Sequence, residues 1–394
     1  MQKIVYLDNA ATTAVDPAVL QAMMPYFTER YGNASSIHSL GQDARVAVES
    51  ARDRIARSLN ARSDEIVFTS GGTESNNFAV KGIAFANRAK GNHIITTKVE
   101  HKCILNSCSW LETQGFQVSY LDIDREGFID VEKLHELITE KTLLVSIIHG
   151  NNEIGTLQDM EAIGKVCKEH DVPLHTDACQ SYTKTELNVK KQNLSLVTLN
   201  AHKIHGPKGV GALYVREGTQ LTPWQHGGGQ EFKLRGGTEN VPGVVGFSKA
   251  VELALDKKHN VYVTKLRDRL IDGVLKIEDT QLNGPKGERR LCNNANFSFM
   301  RIEGEALGAM LEQDGVKTST GSACASRSLE RSHVLRALGL NDEQINGSIR
   351  MSVSRFNTEE EMDYAIAKIG EAAKNLRKIS PFKKVMNSVF GKGA

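Results

Sequence analysis

Cysteine is scarce in this chain and never paired: six in 394 residues, at positions 103, 108, 167, 179, 292 and 324, none in C-x-x-C spacing. Scattered over so long a chain without secretory marks, they argue against a disulfide framework and against a zinc site. Free thiols in a reducing compartment are the expectation, with no resident metal. Long apolar runs are absent too: none approaches the roughly 18 residues of a membrane-spanning helix. The opening MQKIVYLDNAATT meets Asp8 too early for the core of a signal peptide, so a cytoplasmic protein is expected. Charge of one sign is likewise missing. Forty-nine Lys and Arg against 47 Asp and Glu leave a net charge of +2, which gives no field that would recruit nucleic acid or an acidic membrane. There is no internal repeat, no low-complexity tract, no Walker loop and no G-x-G-x-x-G fingerprint, so nucleotide binding is disfavoured.

What remains is the composition of a soluble globular protein, 40% hydrophobic and 24% charged. The length suits one large and one smaller domain. Helical patterns over 43–60, 76–89, 131–138 and 160–169 alternate with short apolar runs at 65–69, 93–97, 117–121, 143–149, 172–176, 196–199 and 211–215. Buried strands interleaved with helices predict an α/β fold, a mostly parallel sheet with helices on both faces. After a glycine-rich passage from Gly227 to Gly243, one long helical stretch is expected to about Ile277. The segments 294–300, 304–313, 349–354 and 359–377 then suggest a smaller α+β domain. The tail 381–394 bears lysines and ends in Gly and Ala, and it is expected to be mobile.

Polar groups gather where strands end, which is where open α/β sheets place their chemistry. In LNAHKIHGPKG, Lys203 follows an apolar run with Asn200, His202 and His205 beside it. A lysine partly desolvated near other cations can act as a Schiff-base nucleophile, although exposed lysines are the rule. In EIVFTSGGTESNN two glycines turn the chain and Thr73 opens a helix, which makes either an anion cradle or a simple capped turn. In VPLHTDACQ, Asp177 can face a pyridinium nitrogen or cap a helix, Gln180 can bond a phenolic oxygen, and Cys179 reads as packing. In TTKVEHKC, His101 can stack on a flat ring, shuttle protons or serve the fold. Asn152 in HGNNEIG is a neutral donor or a turn residue. Arg350 in SIRMSVSRF can clamp a carboxylate, with Arg355 as its rival. Cys324 sits in TSTGSACASRS among small polar residues. It is the one thiol expected to be exposed on a mobile loop and nucleophilic.

These motifs, together with YLDNAATT, YGNASSIHSLG, HGGGQE and RGGTENV, occur in an order that resembles the cysteine desulfurases of iron–sulfur-cluster assembly. Those are class V aminotransferases of the fold-type I group, dependent on pyridoxal 5′-phosphate (PLP). The resemblance covers nearly the whole length. It implies a seven-stranded sheet in a large domain at 15–255, and a small α+β domain from 1–14 and 256–394 carrying a cysteine loop at about 316–330. Further, it implies that Lys203 holds PLP and moves protons, and that Gly72, Thr73, Asn200 and His202 meet its phosphate with Thr238 of a partner subunit. Asp177 would pair with the ring nitrogen, Gln180 with the ring oxygen, and His101 would stack on the ring. Asn152 and Arg350 would position L-cysteine, and Cys324 would take its sulfur as a persulfide, leaving alanine. A homodimer passing sulfur to a cluster scaffold or another acceptor protein follows, and the Cys324 persulfide could transiently ligate a cluster shared with that scaffold. A selenocysteine lyase or another class V aminotransferase is the nearest alternative, and a sulfur carrier or scaffold that kept the fold is the non-enzymatic one. Three positions depart from the family pattern. Asn200 replaces a phosphate-bonding serine, Cys179 replaces a small apolar residue with no expected consequence, and the tail after Ser380 matches neither the acidic nor the aromatic scaffold-docking tails.

Overall fold

A computed structural model of the chain describes residues 4–319 and 331–380. Its centre is a seven-stranded sheet built from β2 (Ile66–Thr69), β3 (His93–Thr97), β4 (Gln117–Leu121), β5 (Thr142–Ser146), β6 (Leu174–Asp177), β7 (Leu196–Asn200) and β8 (Gly211–Val215). They lie in the order β2-β8-β7-β6-β5-β3-β4. All neighbours run parallel except at β8, which is antiparallel to both β7 and β2. The fold is the α/β architecture expected from the alternating pattern, with β3, β4 and β8 beginning and ending at the residues read from the sequence.

Successive side chains of a strand point to opposite faces, and here adjacent strand residues enter two different cores. Phe68, Ile95, Val145, Val197 and Ala212 join one core beneath the helices Ser39–Ser58, Met160–Glu169 and Val241–Ala254. Val67, Ile94, Leu144, Leu196 and Leu213 join the other, beneath Gly72–Ala86 and Lys102–Thr113. Burial on both faces explains why these strands read as continuous apolar runs rather than alternating ones.

A third core gathers Val5 and Leu7 with residues from Val263 to Ala373. It backs a small antiparallel sheet of β9 (Thr280–Leu282), β10 (Asn294–Phe299) and β12 (Ser348–Ser352), in the order β12-β10-β9. The chain's first strand, β1 (Val5–Tyr6), pairs in parallel with β11 (Val316–Lys317). Of the span expected to carry the cysteine loop, Val316 and Lys317 are held in a strand and Ser319 bridges Arg350, while residues 320–330 lie outside the described residues. The long helical stretch is two helices, Val241–Ala254 and Lys257–Val274, because Asp256 caps the second by accepting from the Lys258 N–H. The helix expected from 76 starts at Gly72. Gly71 before it has φ 150, a backbone angle that side-chain-bearing residues rarely adopt.

Candidate active site

The polar ends of β6 and β7 face the N-termini of two helices, and the candidate residues converge there. Asp177 closes β6 and is buried. Its Oδ2 accepts from Asn76 Nδ2 at 2.7 Å, and its Oδ1 accepts from the Cys179 backbone N–H at 2.9 Å. Burial alone pushes this carboxyl up; the charge of His101, the Cys179 N–H and the Asn76 amide outweigh it and hold the group below the ordinary aspartate range. Asp177 thus caps its own turn, one of the two roles its sequence position allows, and it also carries a negative charge at the floor of the site.

His101 is the N-cap of the helix Lys102–Thr113. Its Nδ1 accepts from the Cys103 backbone N–H at 3.3 Å and lies 2.9 Å from Cys103 Sγ. Burial lowers its pKa first; Lys203, His333 and Lys102 push the same way, against Asp177. Lys203 lies three residues beyond the end of β7 and is half-buried. Its backbone carbonyl accepts from Lys184 Nζ at 3.3 Å, and the same ammonium donates to the Gln180 carbonyl at 2.8 Å. Burial drives Lys184 down to about 8, so one desolvated lysine stitches two of the expected site residues together. The Gln180 side chain donates to the Ala10 carbonyl at 2.8 Å.

Beside this floor opens a cavity of about 350 Å³ whose lining includes Thr12, Ser70, Gly72, Thr73, His202 and Lys208. Its wall is the N-terminus of the helix Gly72–Ala86, where free N–H groups and the helix dipole favour an anion. Glu74 reaches back to the Ser70 N–H at 2.8 Å and pairs with Arg235 at 3.0 Å. Gly72 has no room for a side chain, because a Cβ there would lie 2.5 Å from Cys179 Sγ. Cys179 therefore packs directly against Gly72. The same position is 3.6 Å from Asn200 Nδ2, so the donor end of that buried amide faces the cradle while its Oδ1 has no partner. His202 Nδ1 meets Thr12 Oγ1 at 3.1 Å, and burial followed by Lys203, Lys208 and Lys184 drives the imidazole down to about 4. Thr238 is exposed, three residues past Arg235.

Across the site, Arg350 on β12 is buried. Its guanidinium donates to the Asn152 carbonyl at 3.0 Å and to Asp8 Oδ1 at 2.9 Å, leaving Nε without a partner. Arg355 is instead tied to Asp16 at 2.6 Å. The structure thus brings Arg350, and not its rival, to Asn152. Cys324 lies outside the described residues.

Several site groups escape a reading of the sequence. Asn76, Cys103 and Lys184 have neutral or surface-like identities, and only their buried partners reveal them. The N-terminal segment is another: Asn9 Nδ2 donates to the Ser352 carbonyl at 2.8 Å, and Thr13 Oγ1 donates to the His202 carbonyl at 2.9 Å. Residues 9–13 thereby strap the small sheet to the Lys203 turn. Glu100 is the third: Oε1 accepts from Thr97 Oγ1 and the Ile148 N–H, both at 2.8 Å, and Oε2 has no partner. Burial, reinforced by Asp177, raises its carboxyl to about 8.

The residues present fit PLP. A buried carboxylate held ionised suits a protonated ring nitrogen, a glycine-walled helix N-terminus with Lys208 beside it suits a phosphate, and the half-buried Lys203, which lines a second cavity with Asn9, Thr13 and Lys184, supplies an amine.

The aminotransferase class-V family model matches residues 5–365. A cysteine desulfurase IscS of Methanosarcina thermophila is 50% identical over 381 residues, covering 96% of this chain and 94% of that protein. One from Clostridium botulinum is 49% identical over 385 residues, covering 97% of each. Among solved structures, a NifS-like protein superposes with a TM-score of 0.89 at 38% identity, covering 95% of this chain and all of that one. SspA in complex with cysteine superposes with a TM-score of 0.80, also at 38% identity, covering 90% of this chain and 99% of the other.

Proposed function

The chain belongs to the class-V aminotransferases as a PLP-dependent cysteine desulfurase, and on that premise we propose how its own residues divide the work. The observation that carries the reading is Asp177, a buried carboxylate kept charged by Asn76 and Cys179 and felt by the imidazole of His101. When bound, PLP supplies an electron sink that lets L-cysteine lose its α-proton and then its sulfur. Asp177 would supply a negative charge to the ring nitrogen, Gln180 would bond the ring oxygen and His101 would stack on the ring. The N–H groups of Gly72 and Thr73, with Asn200 Nδ2 and His202, hold the phosphate. Thr238 of a partner subunit completes that cradle. Lys203 holds the cofactor and moves the proton at the substrate Cα. Asn152 orients the substrate, and Arg350 takes its carboxylate with its guanidinium, which in this structure holds the Asn152 carbonyl and Asp8. The thiolate of Cys324 attacks the substrate sulfur: a new S–S bond forms, the C–S bond breaks, and the three-carbon remainder takes up protons to leave as alanine.

We further assign the sulfur to an acceptor protein of iron–sulfur-cluster assembly, with the Cys324 persulfide able to ligate a shared cluster transiently. The working form is a homodimer in the cytoplasm, with the large unit at 15–255 and the small one from 1–14 and 256–394. The separate cores support that division, and Leu20, Met24, Phe27, Tyr31 and Ile37, all exposed in this single chain, support a partner subunit. Among the described residues no helix is long and apolar enough to cross a membrane.

Alanine and sulfide produced from L-cysteine under a thiol reductant test the assignment, with L-selenocysteine in parallel. Cys324→Ala is expected to retain the bound-cofactor absorbance and lose sulfide release; release at the wild-type rate would remove the persulfide role. Lys203→Ala is expected to abolish borohydride trapping of the cofactor on the chain, and unchanged trapping would contradict its assignment.

A further inference from the structure

The contact between His101 and Cys103 has a direction that the surrounding hydrogen bonds determine. Nδ1 of His101 receives the backbone N–H of Cys103 at 3.3 Å, so in the neutral ring this nitrogen carries the lone pair and no hydrogen. At 2.9 Å from Cys103 Sγ the same nitrogen has no proton to give, and the thiol must be the donor. The sulfur's own acceptor side is occupied by Asn76 Nδ2 at 3.1 Å, and the second hydrogen of that amide goes to Asp177 Oδ2 at 2.7 Å. Every hydrogen in the set then has one consistent place: Asn76 donates to both the carboxylate and the sulfur, and the thiol and backbone of Cys103 donate to Nδ1.

We propose that Cys103 is a positioning residue for His101, locking the imidazole as the tautomer with its proton on Nε2, so that the histidine meets the reaction as a hydrogen-bond donor rather than as a base. Taking a proton is then left to Lys203. The inference rests on the placement of His101 at the cofactor proposed above. It deepens that reading by fixing which nitrogen is occupied. Cys103 is suited to the task because burial pushes its thiol up to about 12, so it keeps the hydrogen that it donates. A thiolate there would be an acceptor and would demand the opposite tautomer.

Nitrogen-15 NMR of the histidine-labelled full-length enzyme tests this, with His101 identified by the pair of ring signals missing from His101→Gln. The expected pattern is an unprotonated, hydrogen-bonded Nδ1 and a protonated Nε2. In Cys103→Ala the Nδ1 signal moves toward the free, unbonded value and the ring titrates at higher pH. Cys103→Ser keeps a hydroxyl donor and stays near wild type. Asn76→Ala shifts Nδ1 in the same direction as Cys103→Ala by a smaller amount. The charges that bear on this ring are Asp177 from β6, Lys203 beyond β7, His333 from the helix His333–Ala337 and Lys102 from its own helix, and none changes in these variants. A proton found on Nδ1 in the wild type, or an Nδ1 signal unmoved in Cys103→Ala, overturns the proposal. Neither outcome touches the desulfurase reading, which stands or falls on alanine and sulfide production by the wild-type enzyme.

Discussion

Asp177 and Glu100 are carboxylates buried to 5% and 1% exposure, both lying close to the strand ends that build the site. Each suffers the same desolvation, yet they settle on opposite sides of neutrality. Asp177 has a donor on each oxygen and the His101 imidazole beside it, and its pKa falls. Glu100 has two donors crowded on one oxygen, none on the other, and Asp177 as a repelling neighbour, and its carboxyl rises to about 8. Burial is the largest influence on both groups; the neighbouring charge and the donors facing each decide on which side it settles. One carboxylate is held charged, and the other is held neutral.

The sharpest way to break the contrast is to remove the charge that matters. Asp177→Asn is expected to lower alanine production from L-cysteine on the order of 10²–10³-fold, the scale of losing one preorganised electrostatic contact. A variant within threefold of wild type would mean that the charge is idle. Next comes the neutral partner. Because the folded-state pKa of Glu100 is raised from 4.5 to about 8, the folded chain holds a proton that the unfolded chain releases. The stability this contributes is complete below pH 4.5 and is lost as pH climbs toward 8. Glu100→Gln cannot lose that proton. Denaturant unfolding is expected to show the wild type falling relative to Glu100→Gln by about 2 kcal/mol between pH 6 and 8, and parallel curves would show that Glu100 is already ionised. The smallest effect tests a single donor. Asn76→Ala strips one hydrogen bond from Asp177 and is expected to destabilise the protein by about 1–3 kcal/mol, the range for a hydrogen bond to a charged group. That loss should vanish in the Asp177→Asn background, as a double-mutant cycle would reveal.

The same contrast separates the residues that the amino-acid sequence makes legible from those it hides. Asp177 and Lys203 stand out because each follows an apolar strand and recurs with the other strand-end polar groups, although each alone could be a cap or an ordinary lysine. The strands at 93–97, 117–121 and 211–215 are legible to the residue for a related reason: turn chemistry brackets each apolar run. Glu100 and Asn76 are not legible, because each depends on a partner far along the chain, 48 and 101 residues away. Gly72 is marked by its place in the glycine turn, but the close approach there is hidden, since the atom nearest a side chain at that position is the sulfur of Cys179. Helix boundaries fail where a local cap outweighs the apolar period, as at Asp256.

The strap formed by residues 9–13 also has a consequence in time. Asn9 bonds a carbonyl 343 positions further along the chain, and Asp8 meets Arg350 across 342. On the ribosome, the large sheet has all of its strands once Val215 has emerged. The substrate end must wait for β12, so a nascent chain can carry a finished sheet and an unfinished pocket for well over a hundred residues of synthesis. Until that last strand arrives, Asp8 and the Asn152 carbonyl lack the guanidinium that joins them.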